Sequence, residues 1–547
     1  MKPIIYQLFP RLYTNLNSHL KQNGNLCQNG VGKMNDLTDE VLTDIRGLGA
    51  THIWLTGAIE HATATDYSRF GIVPDNPAVV KGKAGSPYAI KDYYDIDPDI
   101  AEDVDNRMAE FEALVKRIHS AGMKVVLDFV PNHVARHYTS DAKPRGVKDF
   151  GHNDSTDHFF AVDNNFYYID GEFSVDGVDL GDYSEKPARA TGNDCFSARA
   201  TRNDWYETVK LNYGIDYSNG SRHFDPIPDT WHKMLHILKY WVGKGVDAFR
   251  CDMAFMVPTE FWRWVIPQIK AKKKSVEFIA EIYDVGKYRE FISAGFDYLY
   301  DKVNLYDMLV GIEREGWNAD AITSCWQRVE GIGDHMLNFL ENHDEVRFAS
   351  SAYAGDATQV LPSLVVSAMI HRGPFMVYQG QELGEAGEDE EGYSGRDGRT
   401  TIFDYWSMKT VRNYLTGKAT KKQLSLRETY AKVLKICNES NAVSDGEFYD
   451  LTYANYNNSH YSTSRQFSFL RRVKGELLVI VVNFDNVAVN VDVNIPEHAF
   501  SHLNIPNGEF VAIDLLTDKT MRVALCSEQP FRTHVKAKGA VIYRVEC

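Results

Sequence analysis

Four stretches of the sequence place ionisable groups directly behind short apolar runs. They are Asp128-Phe129-Val130-Pro131-Asn132-His133, Phe249-Arg250-Cys251-Asp252, Ala280-Glu281 and Glu341-Asn342-His343-Asp344. On a strand, residues two apart share a face, so Ala248, Arg250 and Asp252 point one way and Asp247, Phe249 and Cys251 the other. If the first set faces an axis shared with the other runs, Asp252, Glu281 and Asp344 meet beside one guanidinium. Such a trio suits retaining cleavage of a glycosidic bond. That reaction needs a nucleophilic carboxylate and a second carboxyl about 5–5.5 Å away that acts first as acid and then as base. Arg250 is expected to lower the pKa of Asp252. The apolar Phe278-Ile279-Ala280 is expected to give Glu281 a partly desolvated seat and a raised pKa. Asp344 would steady oxocarbenium charge, and His133 and His343 could hold sugar hydroxyls. Asp128 is expected to hold Arg250 rather than sugar.

The elements that must position these groups are short and nearly continuous in apolar character: Ile4–Phe9, His52–Thr56, Lys124–Val130, Val246–Asp252, Val276–Ile282, Phe296–Tyr300, Met336–Glu341 and Phe375–Gln379. Continuous apolar strands are covered on both faces, which implies a parallel sheet wrapped by helices. Helix-period stretches lie between them: Arg107–Ser120, stopped by Gly122, then Trp231–Val242 and Pro258–Ile269. Eight such units predict an α/β fold, a (β/α)8 TIM barrel built from residues 1–133 and 226–438. Residues 134–225, rich in Asp, Asn, Gly and Tyr, are too long for a plain loop and predict a small inserted domain after strand 3. From 439 to 547, alternation in Gln466–Leu470, Leu477–Asn483 and Ala488–Ile495 predicts a C-terminal antiparallel β-sandwich.

The segments Asp128–His133, Gly245–Asp252, Phe278–Ile282 and Phe339–Asp344, in that order, resemble the four signature segments of the α-amylase family of glycoside hydrolases, family thirteen. The resemblance covers nearly the whole chain. It implies Asp252 as nucleophile, Glu281 as acid/base and Asp344 as transition-state stabiliser. It also implies Arg250, His133 and His343 around the ring to be cleaved, with Tyr88 of Ser86-Pro87-Tyr88 stacked beneath it. The implied substrates are malto-oligosaccharides or starch-like α-glucans. The alternative on the same scaffold is a transglycosylase or a sugar isomerase of the trehalose-synthase kind. No cofactor is expected to be required. Asn132 matches the family's calcium-ligating asparagine, which leaves a structural calcium open. Phe255 and Met256 stand where many relatives carry a Lys-His pair.

Composition narrows the partners. Lys plus Arg number 59 against 75 Asp plus Glu, a net charge of −16. That surface repels phosphate backbones and anionic lipid, so neither nucleic acid nor membrane is an expected partner. Seven cysteines form no disulfide framework. With no leader signature at Met1–Phe9, a cytoplasmic location is expected, or a periplasmic or secreted one if a leader was trimmed. Three polar features carry blander readings. His152–His158 and Glu388–Glu391 are expected to be solvated loops, and Lys270–Lys274 to complement a helix dipole. Trp205, Tyr206, Tyr213 and Tyr217 would either stack on sugar or form the insertion's core.

Overall fold

A computed structural model describes every residue except 394. Eight strands close into a parallel barrel: β1 (Ile4–Leu8), β2 (His52–Leu55), β3 (Lys124–Phe129), β4 (Ala248–Cys251), β5 (Glu277–Ala280), β6 (Tyr298–Tyr300), β7 (Met336–Phe339) and β8 (Phe375–Tyr378). Each strand pairs with its sequence neighbours, and β1 closes on β8. The strands are almost wholly buried on both faces, which is why they are legible as unbroken apolar runs. Outside the barrel, helix Arg107–Ser120 buries Phe111, Leu114, Val115 and Ile118 along one stripe. It ends where Gly122 takes φ of 75°, a conformation that favours glycine. Helices Asp229–Gly243 and Thr259–Lys272 pack likewise.

Register brings the ionisable groups to one height. Arg250 lies opposite Asp128 on one side and Ile279 on the other, and Cys251 opposite Phe129 and Ala280. The ladder runs one residue beyond the strand ends: Asp252 N–H donates to Phe129 O at 2.9 Å, and Glu281 N–H to Cys251 O at 3.1 Å. The two carboxyl-bearing residues therefore leave the barrel side by side, at its C-terminal mouth.

Between β3 and β4 the chain forms short pairings: His133–Ala135 with Thr208–Lys210, Tyr168–Ile169 with Ala188–Arg189, Ser174–Val175 with Arg199–Ala200, and Ile215–Asp216 with Ser221–Arg222. The first pairing ties the start of this excursion to its return. Beyond the barrel, a six-stranded antiparallel sheet runs in the order Glu447–Asp450, Gln466–Val473, Glu476–Asn483, Gly539–Val545, Gly508–Asp514, Lys519–Leu525. A two-stranded ribbon, Val489–Val493 with Phe531–Val535, accompanies it. Leu477–Val482 does not alternate as expected: all six residues are buried. Leu478, Ile480 and Val482 join the core of the barrel, while Leu477, Val479 and Val481 join a core of the sheet's own. All seven cysteines are free, and no described helix is long and apolar enough to cross a membrane.

Candidate active site

Arg250 is fully buried and organises the mouth. Its Nη1 lies 2.7 Å from Asp252 Oδ1 and 3.3 Å from Asp128 Oδ1, and its Nη2 lies 2.9 Å from Glu281 Oε2. The rings of Trp54, Tyr88 and Tyr300 surround the guanidinium carbon at 5.3, 5.3 and 5.5 Å, within cation–π range. Trp54 Nε1–H donates to Asp128 Oδ2 at 2.8 Å. Asp128 thus braces Arg250 from behind, and burial lifts its carboxyl to about 7.

Asp252 differs electrostatically from the expectation. Burial raises its pKa well above the usual carboxylate range, Glu281 pushes the same way, and Arg250 offsets only part of this. Desolvation of a residue only 6% exposed outweighs one ion pair. The two carboxylates touch one guanidinium. Glu281 has donors of its own: Tyr283 Oη–H to Oε1 at 2.6 Å and Met253 N–H to Oε2 at 2.7 Å. Met253 reaches that position by taking φ of 45°, a left-handed conformation rare for a residue with a Cβ. Backbone strain beside the acidic pair is thus spent on aiming one N–H at Glu281.

Asp344 follows β7 and leaves 40% of its side chain open, with Oδ2 3.0 Å from His343 Nε2. Gln7 Nε2 donates to His343 Nδ1 at 2.8 Å, so the ring proton sits on Nε2, between Asp344 and the Tyr88 hydroxyl. The Tyr88 and His343 rings stack at 5.1 Å. Burial holds the His343 pKa well below 6.5, with Arg250 adding to the effect. Burial takes His133 down to about 3, helped by Lys210. Both rings are neutral.

A cavity of about 290 Å³ opens over these groups. Asp252, Glu281, Asp344, Tyr88 and His133 line it, together with Lys81, Trp205, Glu207, Tyr283 and Phe403. Arg250 and His343, expected among the ligand-touching groups, stand behind this lining and hold the residues that form it. An adjoining cavity of about 730 Å³ shares Trp205 and Met253 and adds Phe255, Met256, Tyr217 and Asp194. Of the insertion's aromatics, Trp205 and Tyr217 line cavities, whereas Tyr206 and Tyr213 are buried.

Several contributors escape sequence reasoning. Tyr283 lies two residues beyond Glu281, so strand alternation would have found it. Trp54 and Tyr300 sit within apolar runs that gave no hint of their contact with Arg250. The Lys81–Glu207 ion pair at 3.0 Å comes from two irregular segments with no motif.

The donors around Asn132 do not fit a calcium ion. Its Oδ1 accepts from Lys210 Nζ, which also lies 2.7 Å from Asp194 Oδ1, and its Nδ2 donates to Gly192 O at 2.7 Å. An ammonium stands where the metal would. Other polar features are likewise committed. Asp154 accepts the backbone N–H groups of Asn165 and Phe166, and Glu391, expected to be solvated, is buried and accepts from Thr401 N–H. Lys270 and Lys273 pair with Asp297 and Asp247. The Cys251 thiol is buried on the far face of β4, its pKa raised by burial.

A family model described as alpha amylase, catalytic domain, matches residues 7–425. The chain is 25% identical over 463 residues to alpha-amylase 3 of Dictyoglomus thermophilum, covering 76% of this chain and 75% of that protein. To the alpha-amylase MalA of Haloarcula japonica it is 26% identical over 372 residues, which is 66% of this chain but 43% of that longer protein. Among solved structures, the α-amylase of Geobacillus thermoleovorans in complex with acarbose superposes with a TM-score of 0.67 at 18% identity, covering 100% of this chain and 98% of that one. The cyclic alpha-maltosyl-(1→6)-maltose hydrolase of Arthrobacter globiformis does so with a TM-score of 0.63 at 17% identity, again over 100% and 98%.

Proposed function

The chain belongs to the α-amylase family of glycoside hydrolases, and on that premise we propose that it cleaves α-glucosidic bonds of malto-oligosaccharides or starch-like glucans with retention of anomeric configuration. Glu281 gives its proton to the glycosidic oxygen as the bond to the anomeric carbon breaks. An Asp252 carboxylate oxygen attacks that carbon from the opposite face and forms a covalent glycosyl ester. A water molecule then attacks the same carbon, Glu281 takes its proton, and Asp252 leaves as carboxylate. Asp344 faces the ring while positive charge develops on it, and Tyr88 offers its ring face to the sugar. Arg250 keeps the two acidic groups in register. The cavity, near the lower end of the roughly 300–1,000 Å³ that ligand sites span, suits a short stretch of sugar.

The observation that carries this reading is the convergence of Asp252, Glu281 and Asp344 on one cavity, with the first two on a single buried guanidinium. A second reading, in which a sugar rather than water intercepts the ester, is favoured by the adjoining cavity with its aromatic walls. The test is Asp252→Asn assayed on maltoheptaose. Release of reducing sugar is expected to fall at least about 10³-fold with unfolding temperature unchanged. Proton NMR of the first products is expected to show the α-anomer. Wild-type turnover by the variant would refute the assignment, and β-anomeric product would refute retention. Longer α-linked oligomers or a rearranged disaccharide would select the second reading.

A further inference from the structure

Glu60 lies in the short strand Ile59–His61, paired antiparallel with Ile90–Ile96. The pairing slips. Ile59 opposes Ile96, but Glu60 opposes Asp92, so residues 93–95 bulge and both Asp92 and Asp95 come against Glu60. Asp141, from the chain that follows His133–Ala135, completes the group. One carboxylate oxygen from each of the four lies within 4.8 Å of the others. Ligands on opposite sides of a calcium ion, at 2.3–2.6 Å each, are about 5 Å apart.

The partners of these carboxylates are unequal. Asp92 accepts from Ser140 Oγ at 2.6 Å and from the N–H groups of Tyr94 and Ala142 at 2.8 and 3.1 Å. Asp95 accepts from Ile96 N–H at 2.8 Å and pairs with Arg107. Lys91, next to Asp92 in sequence, is committed to Asp75 at 3.0 Å. Glu60 has nothing: it is 1% exposed, and among the described residues neither of its oxygens accepts a hydrogen bond. A carboxylate buried without a donor is costly and points to a missing partner. Four acidic groups here face one guanidinium, which serves Asp95 alone. Asp141 is the exposed member and gives an ion its way in.

We propose that Glu60, Asp92, Asp95 and Asp141 bind one hard divalent cation, calcium by its oxygen ligands and span, joining the hairpin behind Tyr88 to the inserted segment. This site shares no residue with the Asn132–Lys210 contact or with the catalytic cavity.

The test uses the full-length chain, stripped with chelator, desalted, and titrated with calcium chloride by calorimetry and thermal unfolding. One ion per chain is expected, with a rise of several degrees in unfolding temperature at saturation. Asp141→Asn, a change at an exposed position, is expected to weaken calcium binding at least tenfold while leaving the calcium-free unfolding temperature in place. Glu60→Gln is expected to abolish uptake, and should it fail to fold, Asp141→Asn carries the test alone. The proposal is overturned if the wild type binds no calcium at millimolar concentration or if Asp141→Asn binds as the wild type does. It is also overturned if Glu60→Gln is more stable than a wild type that ignores calcium. That last result would mean that the carboxyls share a proton.

Discussion

Asp128 accepts the indole N–H of Trp54 at 2.8 Å and lies 3.3 Å from Arg250, and burial brings its carboxyl to about 7. Its charge therefore appears near neutral pH, and when present it raises the Asp252 pKa, as does Glu281. The consequence has a definite sign. A nucleophilic Asp252 must be ionised, so its pKa sets the acidic limb of kcat/KM. Asp128→Asn keeps the shape and removes the charge, which lowers the Asp252 pKa. The acidic limb should then move toward lower pH, by roughly one unit. Rates on maltotriose between pH 3.5 and 9 would measure this; a limb that stays put or moves upward would contradict the role given to Asp252. At this scale the sequence made the acidic and basic groups legible, because strand alternation and position behind an apolar run select them. It did not disclose their energetics. The balance between Arg250 and desolvation at Asp252 depends on the closure of Trp54, Tyr88 and Tyr300 around the guanidinium, and that closure is a tertiary property.

Tyr88 reaches the cavity on a loop whose path depends on close backbone approach. Gly85, three residues earlier, has φ of 82°, and a Cβ built there would lie 1.7 Å from the carbonyl oxygen of Ala62. No rotation of a side chain relieves a contact with backbone, so Gly85→Ala must move the loop. The change should cost at least about 2 kcal/mol of stability. Because Tyr88 moves with the loop, KM for maltotriose should rise more than kcat falls. Urea unfolding and steady-state rates would check both, and an unchanged KM in a destabilised variant would remove Tyr88 from the binding surface. The barrel strands and the three helices were legible because burial on both faces, or along one stripe, leaves a period in the sequence. The Lys81–Glu207 pair, the left-handed Met253 and the ammonium of Lys210 beside Asn132 were not. Each depends on a tertiary contact or a local backbone turn, which no period encodes.

The sheet Glu447–Val545 is bound to the barrel through one of its faces. Phe467, Phe469, Leu478, Ile480, Val482 and Ile542 belong to the core of the barrel, whereas their alternates Leu470, Leu477, Val479 and Val481 belong to the sheet's own core. The expected alternation fails at Leu477–Val482 because these six residues are apolar throughout, as in a strand covered on both faces. Arg471, buried among these strands, donates to Ile370 O at 3.2 Å, Ala442 O at 3.1 Å and Val443 O at 2.9 Å. Ile370 follows the helix Leu361–Met369 between β7 and β8, so the guanidinium satisfies one carbonyl of the barrel from outside it. Burying six large apolar side chains is worth about 1.5–3 kcal/mol each, a sum comparable with the 5–15 kcal/mol that hold a typical domain folded. Barrel and sheet should therefore unfold together. Calorimetry of the whole chain is expected to give one transition, and the fragment 1–439 is expected to be inactive and aggregation-prone, because it exposes the barrel side of that core. Two resolved transitions, or a fragment that is monomeric and active on maltoheptaose, would show that the sheet is an appendage and that the catalytic cavity is held by the barrel alone.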